Sequence, residues 1–167
     1  MLPNVTVRAP TSTSDYQPVL TLYYEEEIMG EAFFAGLARY FPNPQQQEKL
    51  LLLSQIERCV ADAVRPLLDR HGLRPRNDEE LHAIGVEDMD RYQDFAWHKF
   101  MEEIIRTFPG YMDEFAALEN IAPNEDRDLL QPFTRHEVVG IEFAERELRD
   151  DPESVDVLKR YIREFPS

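Results

Sequence analysis

The sequence contains a single cysteine, Cys59, and this scarcity excludes an internal disulfide bond. Its first residues, "MLPNVTVRAPTSTSDYQ", lack the basic and then apolar layout of a secretory signal peptide. The longest apolar runs fall well short of the roughly 20 residues that a membrane span requires. We therefore expect a cytoplasmic protein that does not enter a membrane.

Basic residues are also scarce. Lysine and arginine number 18 against 33 acidic residues, which gives a formal net charge of −15 at pH 7. Such a charge repels nucleic-acid phosphates and anionic membrane surfaces, so we expect neither as a partner. The 167 residues, 43% of them apolar, are enough to bury a core as one domain. A homo-oligomer and a small-molecule substrate of unknown identity both stay open.

The motifs of several enzyme classes are missing. There is no G-x-G-x-x-G, no P-loop, no G-x-S-x-G and no paired cysteine motif. No serine or cysteine stands beside a base in an arrangement that would activate a nucleophile. Any function therefore has to be inferred from the positions of the polar residues on the predicted helices.

The sequence shows helical periodicity and almost no strand signal. We predict an all-α fold in which four long helices pack antiparallel around one core. A proline lies inside two of them: Pro66 bends or ends the second, and Pro109 kinks or splits the third. The four helices are predicted at about 16–40, 43–73, 92–120 and 124–149.

Three segments follow from this pattern: an N-terminal extension (1–15), the helical bundle (16–151) and a short C-terminal capping helix (152–167). The second and third long helices are separated by the polar stretch "RPRNDEELHAIGVEDMDRY", a predicted long crossover loop with "DEELHAIG" as an optional short helix.

Glutamates interrupt the apolar stripes of three predicted helices. The first stripe, defined by Tyr24, Ile28, Ala35 and Ala38, contains Glu31, and the second and fourth stripes contain Glu57 and Glu137. At a rise of 1.5 Å per residue, each glutamate lies within roughly 4 Å of its helix midpoint, so antiparallel packing brings the three together.

Clustered carboxylates in a core repel one another and lose hydration. Protonation, a cation or basic partners can offset that cost. One hypothesis is therefore a metal site, and oxygen-rich ligation suits iron or manganese. The other is a buried polar network of protonated carboxylates, or of carboxylates paired with Arg65, Arg106 or His136.

Two neighbouring residues bear on this choice. His136 adjoins Glu137 and is a candidate metal ligand, although it lies roughly 90° from the stripe centre; alternatively, it is hydrogen-bonded at a helix interface. Glu27, one turn before Glu31, is either a second acidic ligand or part of a solvated "EEE" run, and we favour the solvated run.

Three phrases resemble bacterial proteins of the ferritin-like superfamily: "GEAFF" with Glu31, "IERCVADAVRPLLDRHGL" with Glu57, and "RHEVVGIEFAERELRDD" with Glu137. The resemblance spans residues 16–151. It implies a four-helix bundle with these glutamates as di-iron ligands, and oxidase or oxygenase-type chemistry with dioxygen or peroxide.

The sequence departs from that pattern at the two Glu-x-x-His histidines, which are replaced by Val60 and Gly140. The third helix also shows Ile104, Ile105 and Phe108 at the expected height, with no carboxylate. We therefore expect any bound iron or manganese to be a single ion, weakly held, or completed by water ligands. The alternative is a metal-free bundle, without a cofactor, that acts as a binding or scaffolding module.

Overall fold

The computed structural model describes residues 12–87 and 89–165. Within these ranges the fold is all-α, as predicted, and has no strand. The six α-helices are α1 (Tyr16–Leu37), α2 (Pro44–Arg70), α3 (Asp78–Gly85), α4 (Trp97–Ile121), α5 (Gln131–Leu148) and α6 (Asp156–Glu164). Most of the predicted extension, residues 1–11, lies outside the described residues.

Helices α1 and α2 form an antiparallel pair. Near the middle of both helices, the Ser54 hydroxyl donates to the Glu31 carbonyl over 2.9 Å. Further along α2, Arg65 donates to the Tyr24 hydroxyl, 2.8 Å away. The later residue of α2 thus contacts the earlier residue of α1, so the two helices run in opposite directions. The short connection between them permits only this antiparallel arrangement.

Helices α4 and α5 form a second antiparallel pair. The Trp97 indole at the start of α4 donates to Glu147 near the end of α5 over 2.7 Å. Near the other end, the rings of Phe115 and Phe133 stack with centroids 5.0 Å apart. The two pairs meet where Tyr23 of α1 contacts the Phe115 ring.

The prolines do not break their helices. Helix α2 continues through Pro66 and helix α4 through Pro109, so the third predicted helix is not split. The fourth predicted helix begins later than expected, because residues Arg127–Leu130 form a 3-10 turn and the α-helix starts at Gln131. The short C-terminal helix α6 is present and packs against α2 and α5.

The predicted crossover contains the short helix α3, which packs along α1. Asn77 caps α3 by accepting a hydrogen bond from the Glu80 amide. Just before α3, Arg76 donates to Glu25 from its backbone amide and its guanidinium. As a result, α3 and the residue before it cover part of α1.

One buried carboxylate joins three parts of the chain. Asp126, fully buried, accepts hydrogen bonds from the Tyr16 hydroxyl at 2.8 Å and from Arg70. It also lies 2.6 Å from the His71 Nε2. The start of α1, the end of α2 and the turn before α5 therefore all contact the same side chain.

No helix among the described residues is long and apolar enough to cross a membrane.

The contact of α3 with α1 gives a stability test. A Cβ added at Gly85 would lie 2.2 Å from the Met29 carbonyl oxygen, so Gly85→Ala has to displace backbone and should lower the free energy of unfolding by about 1–3 kcal/mol. Gly110→Ala, within α4, meets nothing within 4 Å and should instead be neutral or stabilising by up to about 1 kcal/mol. Urea denaturation of both variants checks this, and equal effects would contradict the described contact.

Candidate metal centre

The inward stripe of α1 differs from the one chosen from the sequence. It repeats at alternating intervals of four and three residues, and every member is buried: Tyr16, Leu20, Tyr23, Glu27, Gly30, Phe34 and Leu37. Glu27 occupies the middle of this stripe with 1% of its surface exposed. The carboxylate that α1 directs into the core is therefore that of Glu27.

Three helices bring acidic and imidazole groups together at the centre. Glu27 of α1, Glu57 of α2 and His136 of α5 each offer one ligand atom within 4.8 Å of the other two. All three side chains are buried. Glu137 adjoins the group, with Oε1 at 3.5 Å from the His136 Nε2. We call these four residues the central cluster.

The backbone fixes the orientation of His136. Its Nδ1 donates to the Pro132 carbonyl one turn earlier, over 3.2 Å. Burial lowers the pKa of His136, so the neutral imidazole with a lone pair on Nε2 is favoured. Nε2 points into the central cluster, 3.4 Å from the Glu27 Oε2, and has no hydrogen-bond partner among the described residues.

Two carboxyl groups of the cluster, those of Glu27 and Glu137, favour their neutral forms in the metal-free chain. Burial raises the pKa values of Glu27 and Glu137 well above the ordinary range, and the neighbouring Glu57 carboxylate adds to both effects. Glu27 also shares a hydrogen bond with Glu57, which requires a proton on one of the two groups. Both oxygens of Glu137 lack a hydrogen-bond partner within residues 12–87 and 89–165.

Of the basic partners considered for a purely structural network, only His136 lies in the cluster. Arg65 is directed to the Tyr24 hydroxyl, and Arg106 pairs with Glu103 on its own helix. Neither guanidinium neutralises the buried carboxyl groups. Protons and a bound cation are two ways to offset the desolvation of Glu27 and Glu137.

The predicted site residue Glu31 lies outside the cluster, which corrects the sequence-based assignment. Its carboxylate is about a quarter exposed and accepts a hydrogen bond from Arg58 over 2.5 Å. His82 of α3 lies 3.0 Å from the same oxygen. Glu31 therefore belongs to a polar contact between α1, α2 and α3, whereas Glu57 and Glu137 are buried as their stripes predict.

The "EEE" run is not solvated, contrary to our interpretation. Glu25, Glu26 and Glu27 are all buried, because α2, α3 and α4 all pack against α1. The signal for Glu27 was its place in the four-and-three stripe with Leu20, Tyr23 and Phe34. An acidic run masks such a signal because it also fits an exposed helix face.

The positions of the missing histidines are filled by packing. Val60 is buried in α2. Gly140 lies against the Phe108 ring, and a Cβ at that position would be 2.6 Å from a ring carbon. Phe108 thus occupies the space that a side chain at position 140 would need, and α4 contributes aromatic carbon there, as its sequence predicts. The cluster has the donors for one ion.

Comparisons with known proteins add no relative. The chain matches no family model, and no curated protein and no solved structure is significantly similar to it. The resemblance to the ferritin-like superfamily therefore depends on the quoted sequence phrases alone. Any function therefore has to be inferred from the chemistry of the central cluster.

The buried acids predict a pH dependence for the metal-free protein. Burial also raises the pKa of Glu26, from 4.5 to about 8. Between those pH values the folded chain holds protons that the unfolded chain has released, so the free energy of unfolding should fall as pH rises, by up to about 1.4 kcal/mol per pH unit for each such group. His136, with its lowered pKa, opposes this trend below pH 6.5.

Glu26→Gln removes one titrating group and should reduce that decline, as measured by urea denaturation at pH 5 and pH 8. The control is Glu102→Gln, an exposed change on α4 that should keep the wild-type dependence. Identical pH profiles for wild type and Glu26→Gln would show that Glu26 ionises normally in the folded protein.

Proposed function

We propose that this protein is a metal-binding helical bundle of the ferritin-like type. In this proposal Glu27, Glu57 and His136 hold a single divalent ion, and Glu137 is an additional carboxylate beside it. The observation that carries the proposal is the His136 Nε2, a buried lone pair without a hydrogen-bond partner among the described residues, directed at two carboxyl groups.

The second nitrogen of His136 supports this role. Histidine ligands in metal sites commonly donate their other ring N–H to a carbonyl or carboxylate, which fixes the tautomer and the ring orientation. The bond from Nδ1 to the Pro132 carbonyl has that form. A histidine retained only for packing would gain more from a hydrogen bond at both nitrogens, since a buried polar atom without a partner is costly.

The donor set is compatible with iron or manganese. Two carboxylates and one imidazole are hard to intermediate ligands that suit Fe²⁺ and Mn²⁺, and they leave coordination positions for water or a small co-reactant. Zn²⁺ and Co²⁺ fit the same donors, and Zn²⁺ generally binds such sites more tightly than Mn²⁺. Selectivity for iron or manganese would therefore depend on which metals are available.

Oxidase or oxygenase-type chemistry is the activity that such an ion would support. Open coordination positions on Fe²⁺ admit dioxygen or peroxide. Phe108, Phe115 and Phe133 are buried beside the cluster, and His136 lies 5.9 Å from the Phe115 ring centroid. This aromatic surrounding favours small co-reactants over a large organic substrate. We expect slow turnover because the buried rings restrict access to the cluster.

The alternative is a metal-free bundle with a binding or scaffolding role. The hydrogen bond between Glu27 and Glu57 favours it, because protonated carboxyl groups can satisfy part of the cluster without an ion. The absence of a histidine at position 140, where Phe108 packs, also favours the metal-free alternative. The two proposals differ in whether metal displaces the protons.

Metal titration separates them. Mn²⁺ added to the metal-free, full-length protein should bind at one ion per chain, more tightly at pH 8 than at pH 6, because the ligands must lose their protons. Glu27→Gln and His136→Gln should each weaken binding by at least the roughly 10- to 100-fold seen when a residue that only supports a ligand is lost. Titration calorimetry measures the stoichiometry, affinity and proton release.

Glu31→Gln is the matched control, since it makes the same change one turn further along α1 but outside the cluster. It should bind Mn²⁺ like the wild type. Equal loss in Glu27→Gln and Glu31→Gln, or no binding of Mn²⁺, Fe²⁺ or Zn²⁺ by the wild type, would leave the metal-free alternative.

A further inference from the structure

Helix α6 reaches the central cluster through a backbone carbonyl of α5. The Tyr161 hydroxyl donates a hydrogen bond to the carbonyl oxygen of Pro132 over 3.0 Å. The same oxygen lies 3.2 Å from the Nδ1 of His136, one of the three residues whose ligand atoms lie close together at the centre. Tyr161 is buried, and its helix packs against α2 and α5. Two side chains from different helices therefore meet at one acceptor.

Both side chains are donors at this oxygen. A carbonyl oxygen can only accept, so the Tyr161 hydroxyl directs its proton at Pro132, and His136 carries a proton on Nδ1. The Nε2 of His136 is then the nitrogen directed at the carboxyl groups of Glu27 and Glu137, at 3.4 and 3.5 Å. The positions of the heavy atoms alone thus assign the tautomer.

The Pro132 carbonyl has a limited capacity for these donors. A carbonyl oxygen has two lone pairs. Within an α-helix, the amide of residue 136 is the ordinary donor to the carbonyl of residue 132, and both residues lie in α5. The hydroxyl of Tyr161 and the imidazole of His136 share the remaining capacity, so a stronger bond from one donor weakens the bond from the other.

The strength of the Nδ1 bond matters for a metal ligand. An acceptor at the second ring nitrogen raises the basicity of the nitrogen that binds the ion, and loss of such an outer partner typically costs about 10- to 100-fold in metal affinity or activity. Because Tyr161 occupies part of the Pro132 carbonyl, it limits this effect on His136. The position of α6 is thereby coupled to the basicity of the central imidazole.

We propose that Tyr161 is a positioning residue that acts through His136: it competes for the Pro132 carbonyl and so lowers the affinity of the central cluster for a divalent metal ion. This inference rests on the proposed function, since it concerns the affinity for metal, whereas the competition itself is observable in the metal-free protein. A purely structural role of Tyr161 predicts the opposite effect, because a loosened α6 would leave the ligands less ordered and weaken binding.

The variant Tyr161→Phe removes the competing hydroxyl and keeps the ring. In the metal-free, full-length protein at fixed pH, the Hδ1 proton of His136 should move downfield in nuclear magnetic resonance spectra, because its hydrogen bond to Pro132 strengthens. Mn²⁺ binding, measured by titration calorimetry, should tighten by up to about 10-fold.

Tyr16→Phe is the matched control. It removes another buried tyrosine hydroxyl, which donates to Asp126 over 2.8 Å outside the central cluster. It should lower stability without changing the His136 resonance or the Mn²⁺ affinity. The reverse change is 3-fluorotyrosine incorporated at position 161, since its more acidic hydroxyl is a stronger donor. The Hδ1 proton should then move upfield and Mn²⁺ binding should weaken.

The possible outcomes separate this inference from the proposed function. An unchanged Hδ1 resonance or weaker Mn²⁺ binding in Tyr161→Phe would overturn the role of Tyr161, while wild-type binding of one ion per chain would leave the metal site standing. Absence of metal binding by the wild type would overturn the proposed function and with it any effect of Tyr161 on affinity. If Tyr161→Phe fails to fold by circular dichroism, the fluorinated protein decides.

Discussion

The desolvation of clustered carboxyl groups is the constraint on which the centre of this protein depends. Glu27, Glu57 and Glu137 are held out of water, and the imidazole of His136 lies beside them. That imidazole is itself held neutral by burial. The surrounding helices provide the apolar contact that keeps these groups together.

The packing around Gly140 limits the kind of centre that can form. Where a second histidine would complete a pair of Glu-x-x-His motifs, the Phe108 ring lies against bare backbone. The carboxylates are therefore bordered by carbon on the α4 side. An ion placed between Glu27, Glu57 and His136 would lie beside aromatic carbon contributed by α4.

The periodicity of the sequence predicted the class of fold and the burial of Glu57 and Glu137, because α2 and α5 are each apolar on one face only. It failed for α1, which is buried on all sides between Tyr23 and Gly30. A helix covered on all sides has no single stripe, so Glu27 and Glu31 were equally acceptable from spacing alone. The distinction depends on α3 and its flanking residues, whose packing is a tertiary effect.

The buried Asp126 has a consequence for the order in which the chain folds. Its partners Tyr16 and His71 are separated from it by 110 and 55 residues along the chain, so the contacts close long loops. Loop closure costs entropy that is recovered only after both ends are in place, and local contacts within α1–α2 and α4–α5 require shorter loops. The hydrogen bonds of Asp126 should therefore form late, after the two helical hairpins have formed, and should stabilise their packing against each other.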